Sequence, residues 1–273
     1  MKESSFRIAG QNLRIAGGTL CRLLSGFEAP ESEKDQQPIC TIAEATGTAQ
    51  FDIINLTPDF QVRHVLSTVE DPSGVALADE DFSHISITFG ESKDESLMEL
   101  LLAAFYSRLV AFRTVLVHAS VVDVPGLGGV MFVGRSGIGK TTQAMLWSMY
   151  RNAEIINGDK VFLSLNEAGD TVTAHGNPWK GSSPYCLNKS TTLKGIVVLD
   201  QAKTNTIRQL NDLEVLNEYV THIFMPMWNG QSTDQVMETI GGMMPLVPVF
   251  KLACRPEQEA VDMTFRAIFG SEV

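Results

Sequence analysis

Basic residues are scarce and nowhere clustered: 21 Lys and Arg stand against 32 Asp and Glu, a formal net charge of −11. Binding to a nucleic-acid backbone draws on clustered Lys and Arg, so no nucleic-acid partner is expected, and the negative balance argues for solubility. Cysteines are few and scattered. Cys21, Cys40, Cys186 and Cys254 show neither CxxC nor zinc-ligand spacing, which fits buried thiols in a reducing cytoplasm. A long uncharged apolar run is also missing. The most apolar stretch, 97–112, carries Glu99 and Arg108, so it reads as a buried or amphipathic helix and not a membrane span. The opening Met1-Lys2-Glu3-Ser4-Ser5 lacks the apolar run of a signal peptide. A cytoplasmic location without a membrane partner is the expectation.

What is present is ordinary globular material. Of 273 residues, 44% are hydrophobic and 19% charged, ample for a real core in one large domain or two modest ones. Residues 1–93 read as a small β-rich lobe, with strand-like runs at 6–9, 12–15, 49–54, 61–65 and 84–89. Arg-Ile-Ala-Gly occurs at 7–10 and again at 14–17, too short to count as a repeat. Residues 28–38, charged and holding two prolines, read as a loop. From 94 to 273 strands and helices alternate. A helix over 95–113 leads into strands at 114–124 and 129–133, a helix to about 150, and strands at 153–157, 160–165 and 171–175. Strands at 193–199 and 206–210, helices over 212–224 and 233–244, a strand at 247–253 and a helix opening at Pro256 complete an α/β domain.

Residues 130–143 hold the most informative pattern. The apolar run Val130-Met131-Phe132-Val133 enters Gly134-Arg135-Ser136-Gly137-Ile138-Gly139-Lys140-Thr141-Thr142, and an apolar helix start follows. This is the GxxxxGK[ST] pattern of a phosphate-binding loop. Glycines permit positive φ, so that consecutive N–H groups point at one place. The helix beginning near Lys140 adds the positive end of its dipole there. Lys140 supplies a cation for the β- and γ-phosphates and Thr141 a hydroxyl for Mg²⁺. At average residue usage the four fixed positions recur by chance in about 1% of chains of this length, and the strand-loop-helix context lowers that further. ATP and Mg²⁺ are the expected cofactors, with the whole 134–142 stretch around the nucleotide.

Two carboxylates compete for the metal and the chemistry. Asp200 closes the apolar run Ile196-Val197-Val198-Leu199, the usual form of a Walker B strand, sixty residues past Lys140. Asp159 lies nineteen past Lys140 in Asn157-Gly158-Asp159-Lys160, which places it after the strand that follows the loop helix. Ligands of open α/β sheets bind at such strand ends, although Asn-Gly-Asp is also turn chemistry. Spacing leaves both open.

The stretch from His118 through Asp123 and Gly134 to Lys140-Thr141, followed by Ile155-Ile156-Asn157-Gly158-Asp159-Lys160-Val161, resembles the catalytic core of HPr kinase/phosphorylase. That family shares the nucleotide-binding fold of ATP-dependent phosphoenolpyruvate carboxykinase. The resemblance covers about residues 115–165; the tail, with Gly176–Gly181, Leu193–Asp200 and Val247–Leu252, is similar to HPr-kinase-related proteins outside the true HPr kinases. It implies that Asp159 is general base and Mg²⁺ neighbour, that His118 lies near the phosphates, and that Asp200 belongs to a structural strand. Two positions depart from the family: Gly158 replaces the first Asp of an Asp-Asp pair, and Lys-Thr-Thr replaces Lys-Ser-Glu. No counterpart of the long Gly-rich signature follows. These departures speak against HPr as the acceptor and against phosphorylase activity.

The resulting expectation is a kinase with Lys140, His118 and Asp159 as catalytic residues and Thr141 with Asp159 at the metal. It transfers the γ-phosphoryl group of a nucleoside triphosphate to a hydroxyl of an unknown protein, peptide or small molecule, and homo-oligomer formation is left open. A P-loop ATPase or GTPase using Asp200, or a non-catalytic nucleotide-binding protein, is the rival. Lys180, after Pro178-Trp179, reads equally as an acceptor contact or an exposed loop lysine. Arg135 reads as solvated at the loop tip, and His64, His84, His175 and His222 show no ligand spacing.

Overall fold

Alternation builds the first element of the chain. In the computed structural model, which describes residues 3–45, 58–68, 74–88, 93–228 and 230–270, strands β1 (Glu3–Ile8) and β2 (Gln11–Ala16) pair antiparallel, Ile8 opposite Gln11. They bury Phe6, Ile8, Leu13 and Ile15. Ala9 (φ 55°) and Gly10 (φ 73°) form the two-residue connection, the left-handed pair that matches strand twist. The first Arg-Ile-Ala-Gly thus makes a turn. The second runs into helix α1 (Gly18–Leu23) through Gly17.

The chain divides into two compact units, Met1–Phe112 and Arg113–Val273, and is mixed α/β. The first unit adds β3 (Cys40–Glu44), β4 (His64–Ser67), β5 (Val75–Ala78) and β6 (His84–Thr88), in the order β1-β2-β3-β6-β5-β4. Helix α2 (Asp94–Leu109) packs on β4 and β5. Its chain ends in a tight turn over Val110–Phe112 and then Arg113 at φ 51°, a left-handed residue of the kind that closes helices. The sequence does not announce β3 and β5, since β5 is buried on both faces and has no alternation to read. The strand expected at 49–54 lies outside the described residues.

The second unit carries the loop. Its sheet runs β11 (Val172–His175), β10 (Lys160–Leu165), β7 (Thr114–Val124), β8 (Gly128–Val133), β12 (Ser190–Gln201), β14 (Val249–Cys254) and β13 (Thr206–Gln209), with β9 (Glu154–Asn157) also on β7. β8, β12 and β14 are parallel neighbours. Strands β9 and β10 share one edge of β7, β10 against its first half and β9 against its second. Gly158 and Asp159 bridge the junction. Ala119 N donates to the Asp159 carbonyl at 2.9 Å, so the backbone there stays tied to β7.

Helices α3 (Lys140–Arg151) and α6 (Gln258–Phe269) pack together on this sheet. The fully buried Trp147 ring tilts against Phe132 of β8 and Phe265 of α6, at centroid distances of 5.9 and 6.2 Å. Arg151 closes the contact with Asp262 at 2.8 Å and lies over the Phe265 ring.

The helix expected over 212–224 is shorter. Asn211 and Glu214 form a capping box that starts α4 (Asp212–Glu218), but a tight turn over Val220–His222 follows. Below β8 the second edge of β7 is open, and Ile223 bridges Val117 there while Phe224 N donates to Leu116 O at 2.9 Å. Strand edge pairing wins over helix continuation. Helix α5 (Gly230–Met243) packs on β7 and β10. All four cysteines are free thiols, Cys40 and Cys254 buried and Cys21 and Cys186 half-buried. Among the described residues, no helix is long and apolar enough to cross a membrane.

Candidate functional site

The loop after β8 owes its shape to its glycines. Gly134, Gly137 and Gly139 have φ of 146°, 76° and 116°, all where a side chain would strain the backbone. Gly134 is also close-packed: a Cβ there would stand 3.0 Å from Ile138 Cγ2 and 3.3 Å from the Leu199 carbonyl. α3 starts immediately after Gly139, and no side chain caps it. Its first N–H groups lack the side-chain oxygen that ordinarily satisfies them, which suits an anion at that end.

Lys140 is 7% exposed and bends back over the loop, donating from Nζ to the Gly134 carbonyl at 3.0 Å and the Arg135 carbonyl at 3.4 Å. Its backbone is held from β7, where Ser120 Oγ donates to Lys140 O at 2.9 Å. His118, two residues earlier on the same strand, faces the same side. Burial lowers the Lys140 pKa, with Asp159 opposing.

Asp159 is presented by a turn. Asn157, fully buried, accepts from Asp159 N at 3.0 Å and Lys160 N at 3.2 Å through Oδ1, an Asx turn. Its amide donates to Asn177 O at 2.9 Å, and Asn177 Nδ2 returns a bond to Lys160 O at 2.8 Å. The turn reading of Asn-Gly-Asp and the site reading are therefore compatible, because the turn aims the carboxylate. Lys160 Nζ pairs with Asp159 Oδ2 at 2.8 Å, and His118 Nδ1 stands 4.0 Å from Oδ1. Thr141 Oγ1 donates to the Gly158 carbonyl at 3.4 Å, bringing the loop threonine beside the Asp159 backbone.

Gly158 has no room for a side chain. A Cβ there would overlap Ser183 Oγ and lie 2.6 Å from Ser183 Cβ. Gly181 (φ 56°) is packed just as closely, its would-be Cβ 2.7 Å from Asp159 Cγ. The 181–185 segment thus sits directly on the Gly158–Asp159 turn.

Three cavities border the loop. The first, about 360 Å³, gathers His118, Lys140, Thr141 and Asp159 with Ser136 and Ser182 on its walls. The second, about 300 Å³, shares His118 and Ser136 with it and adds Arg135, Thr221, His222 and Phe224. The third, about 170 Å³, takes Asp200 with Ile138, Thr142 and Gln143. The two competing carboxylates therefore open into different cavities, Asp159 with Thr141 and Asp200 with Gln143, while Thr142 lies on the walls of both. Lys180 is exposed and lines none of the three.

Thr141 and Asp159 carry oxygens of the kind that would fit Mg²⁺, since that ion keeps several waters and takes one or two carboxylates plus phosphate oxygens. Among the described residues no group of three His, Cys, Asp or Glu is placed to cage a metal, so a site built mainly from protein carboxylates does not fit. Burial, and then the Lys140 charge, hold the His118 imidazole below its ordinary pKa, with Asp159 opposing. The same two causes lower His222. His222 is the group that the sequence conceals: it stands 104 positions from His118, and the Ile223–Val117 bridge with the Phe224–Leu116 hydrogen bond brings the two together. Ser182 and Ser183 are hidden for the same reason, as they reach the turn from a loop.

No family model matches the chain, and no curated protein matches it. Solved structures do match, among them the HPr(Ser) kinase/phosphatase from Coxiella burnetii, at 9% identity and a TM-score of 0.35, over 56% of this chain and 94% of that one. At that level the similarity is a distant structural one.

Proposed function

We propose that the chain is an ATP- and Mg²⁺-dependent kinase of the HPr kinase-like type, acting on a hydroxyl of a protein, peptide or small molecule. The observation that carries this reading is the single cavity shared by Lys140, Thr141, Asp159 and His118. Phosphoryl transfer asks little covalent chemistry of a protein and depends on positioning and charge neutralisation. In this reading the amides of the loop from Gly134 to Thr142 and of the α3 start hold the triphosphate. Lys140 Nζ exchanges the Gly134 and Arg135 carbonyls for phosphate oxygens. Asp159 accepts the proton of the acceptor hydroxyl as that oxygen bonds to the γ-phosphorus and ADP departs, and His118 lies beside the transferring group. Mg²⁺, held by Thr141 and the Asp159 side, would neutralise charge on the β- and γ-phosphates.

A second reading has its own observation. Asp200 is the last residue but one of β12, the parallel neighbour of β8, close to the ordinary position of a Walker B carboxylate in an ATPase. Comparing Lys140→Ala, Asp159→Asn and Asp200→Asn for ADP release from Mg-ATP, with and without candidate acceptors, separates the two. Loss of about 100-fold or more is expected for the first two, by analogy with removed transition-state donors and general bases. Loss confined to Asp200→Asn would refute the kinase assignment, and unaltered nucleotide binding and turnover in Lys140→Ala would refute the site.

A further inference from the structure

The second cavity has a composition unlike the rest of this acidic chain. His118 from β7, Arg135 from the loop tip and His222 from the Val220–His222 turn reach it from three segments, and among the described residues no carboxylate lines it. The placement is fixed by backbone and not by loose side chains, since Ile223 and Phe224 are tied to Val117 and Leu116. Glu218, an acid that acts on His222, is itself paired with Lys251 at 2.6 Å. The cavity joins the first one through His118 and Ser136, so a ligand seated there adjoins the residues assigned to the transferring phosphate.

We propose that this cavity seats an anionic group, a carboxylate or a phosphate, borne by the phosphoryl acceptor and held by His222 and the Arg135 guanidinium. The inference rests on the kinase reading of the neighbouring site and narrows its substrate to hydroxyl compounds carrying such a group. Arg offers a planar fork that matches either anion. Burial and Lys140 lower His222, and an arriving anion would favour its protonated, doubly donating form. A volume of about 300 Å³ suits a small polar fragment more than a bulky group.

The test uses the full chain and three probes with one three-carbon skeleton: glycerol 3-phosphate, glycerate and neutral glycerol. Imidazole NMR signals, assigned with a His222→Gln variant of checked thermal midpoint, are followed with and without a non-hydrolysable ATP analogue and Mg²⁺. Saturable shifts of the His222 signals are expected with at least one charged probe, none with glycerol, and retained when the analogue is bound. Which charged probe binds tells phosphate from carboxylate. His222→Gln should weaken that probe about tenfold, roughly one charge-assisted contact, and alter affinity for the analogue less than twofold. Absence of His222 shifts with both charged probes overturns the inference. So does displacement of the probe by the analogue, because the cavity would then hold nucleotide phosphates. Failure to bind nucleotide at all sinks the kinase reading separately, and the nucleotide-free titration still reports on the cavity.

Discussion

Gly158 offers the sharpest test of how the site is assembled. Its backbone is not in the left-handed region, so adding a methyl group meets only a steric obstacle, and that obstacle is the Ser183 side chain. Ser183 is itself buried and accepts a hydrogen bond from Tyr185 N at 3.2 Å. It does not swing away freely. Overpacking of this kind costs about 1–3 kcal/mol, so Gly158→Ala should destabilise the second unit by about 2 kcal/mol. With a urea slope of about 2 kcal/mol/M for a unit of this size, the midpoint should fall by about 1 M. The measurement is clean because Trp147, Trp179 and Trp228, the three tryptophans of the chain, all lie in the Arg113–Val273 unit. Their fluorescence reports that unit alone. Ser183→Gly removes the obstacle at the expense of the Tyr185 bond, about 1 kcal/mol. In the double variant Gly158→Ala should then add little further loss, giving a coupling of about 1–2 kcal/mol between the two sites. A Gly158→Ala midpoint equal to that of the parent chain, or strictly additive losses in the cycle, would refute the packing argument.

Three other outcomes follow from the same geometry. Asn157→Ala should destabilise the second unit by about 1–3 kcal/mol, read from the same urea midpoint, because the Asn177 carbonyl and the Asp159 and Lys160 amides lose their buried partner; no change would show that the Asx turn is dispensable. Stability of the second unit should rise with pH through the region near and below 6.5. His118 and His222 are both held low in the fold, so the unfolded chain binds more protons there and the contribution, complete above the unfolded value, is lost as pH falls. Urea midpoints at several pH values test this, and a slope unchanged in the His118→Gln, His222→Gln double variant would refute it. Finally, Trp147→Ala should cost about 3–5 kcal/mol by leaving a void between Phe132 and Phe265, read by circular dichroism, and a loss below 1 kcal/mol would contradict its core role.

Much of the second unit was legible residue by residue. The strands at 114–124 and 160–165 occupy the expected positions, and α3 starts at Lys140, because apolar runs rich in β-branched residues, a glycine-rich turn and an amphipathic helix each leave a local pattern. Where partners far along the chain decide, the pattern disappears. The helix expected to reach Phe224 stops at Glu218 because the open edge of β7 captures Ile223 and Phe224, and with that capture His222 moves from an unassigned histidine to a wall of the site. Gly158 reads in the sequence as a missing acid. In the fold it is the space that Ser183 occupies, a relation that spacing cannot express.

The flanking of β8 by its neighbours has a consequence for how such a site can diversify. β8 is paired along its length, antiparallel to β7 and parallel to β12, so the strand feeding Gly134 belongs to the part of the unit that exchanges its amide hydrogens last. Of the facing walls, 220–224 is held to β7 by the Ile223 bridge and the Phe224 amide, while 181–185 belongs to a loop outside the ladder. Such a loop accepts insertions and replacements that a central strand does not. One side of the cavities is therefore fixed by the sheet while the 181–185 side is open to variation, and a descendant of this chain can change what it faces without redesigning the loop after β8.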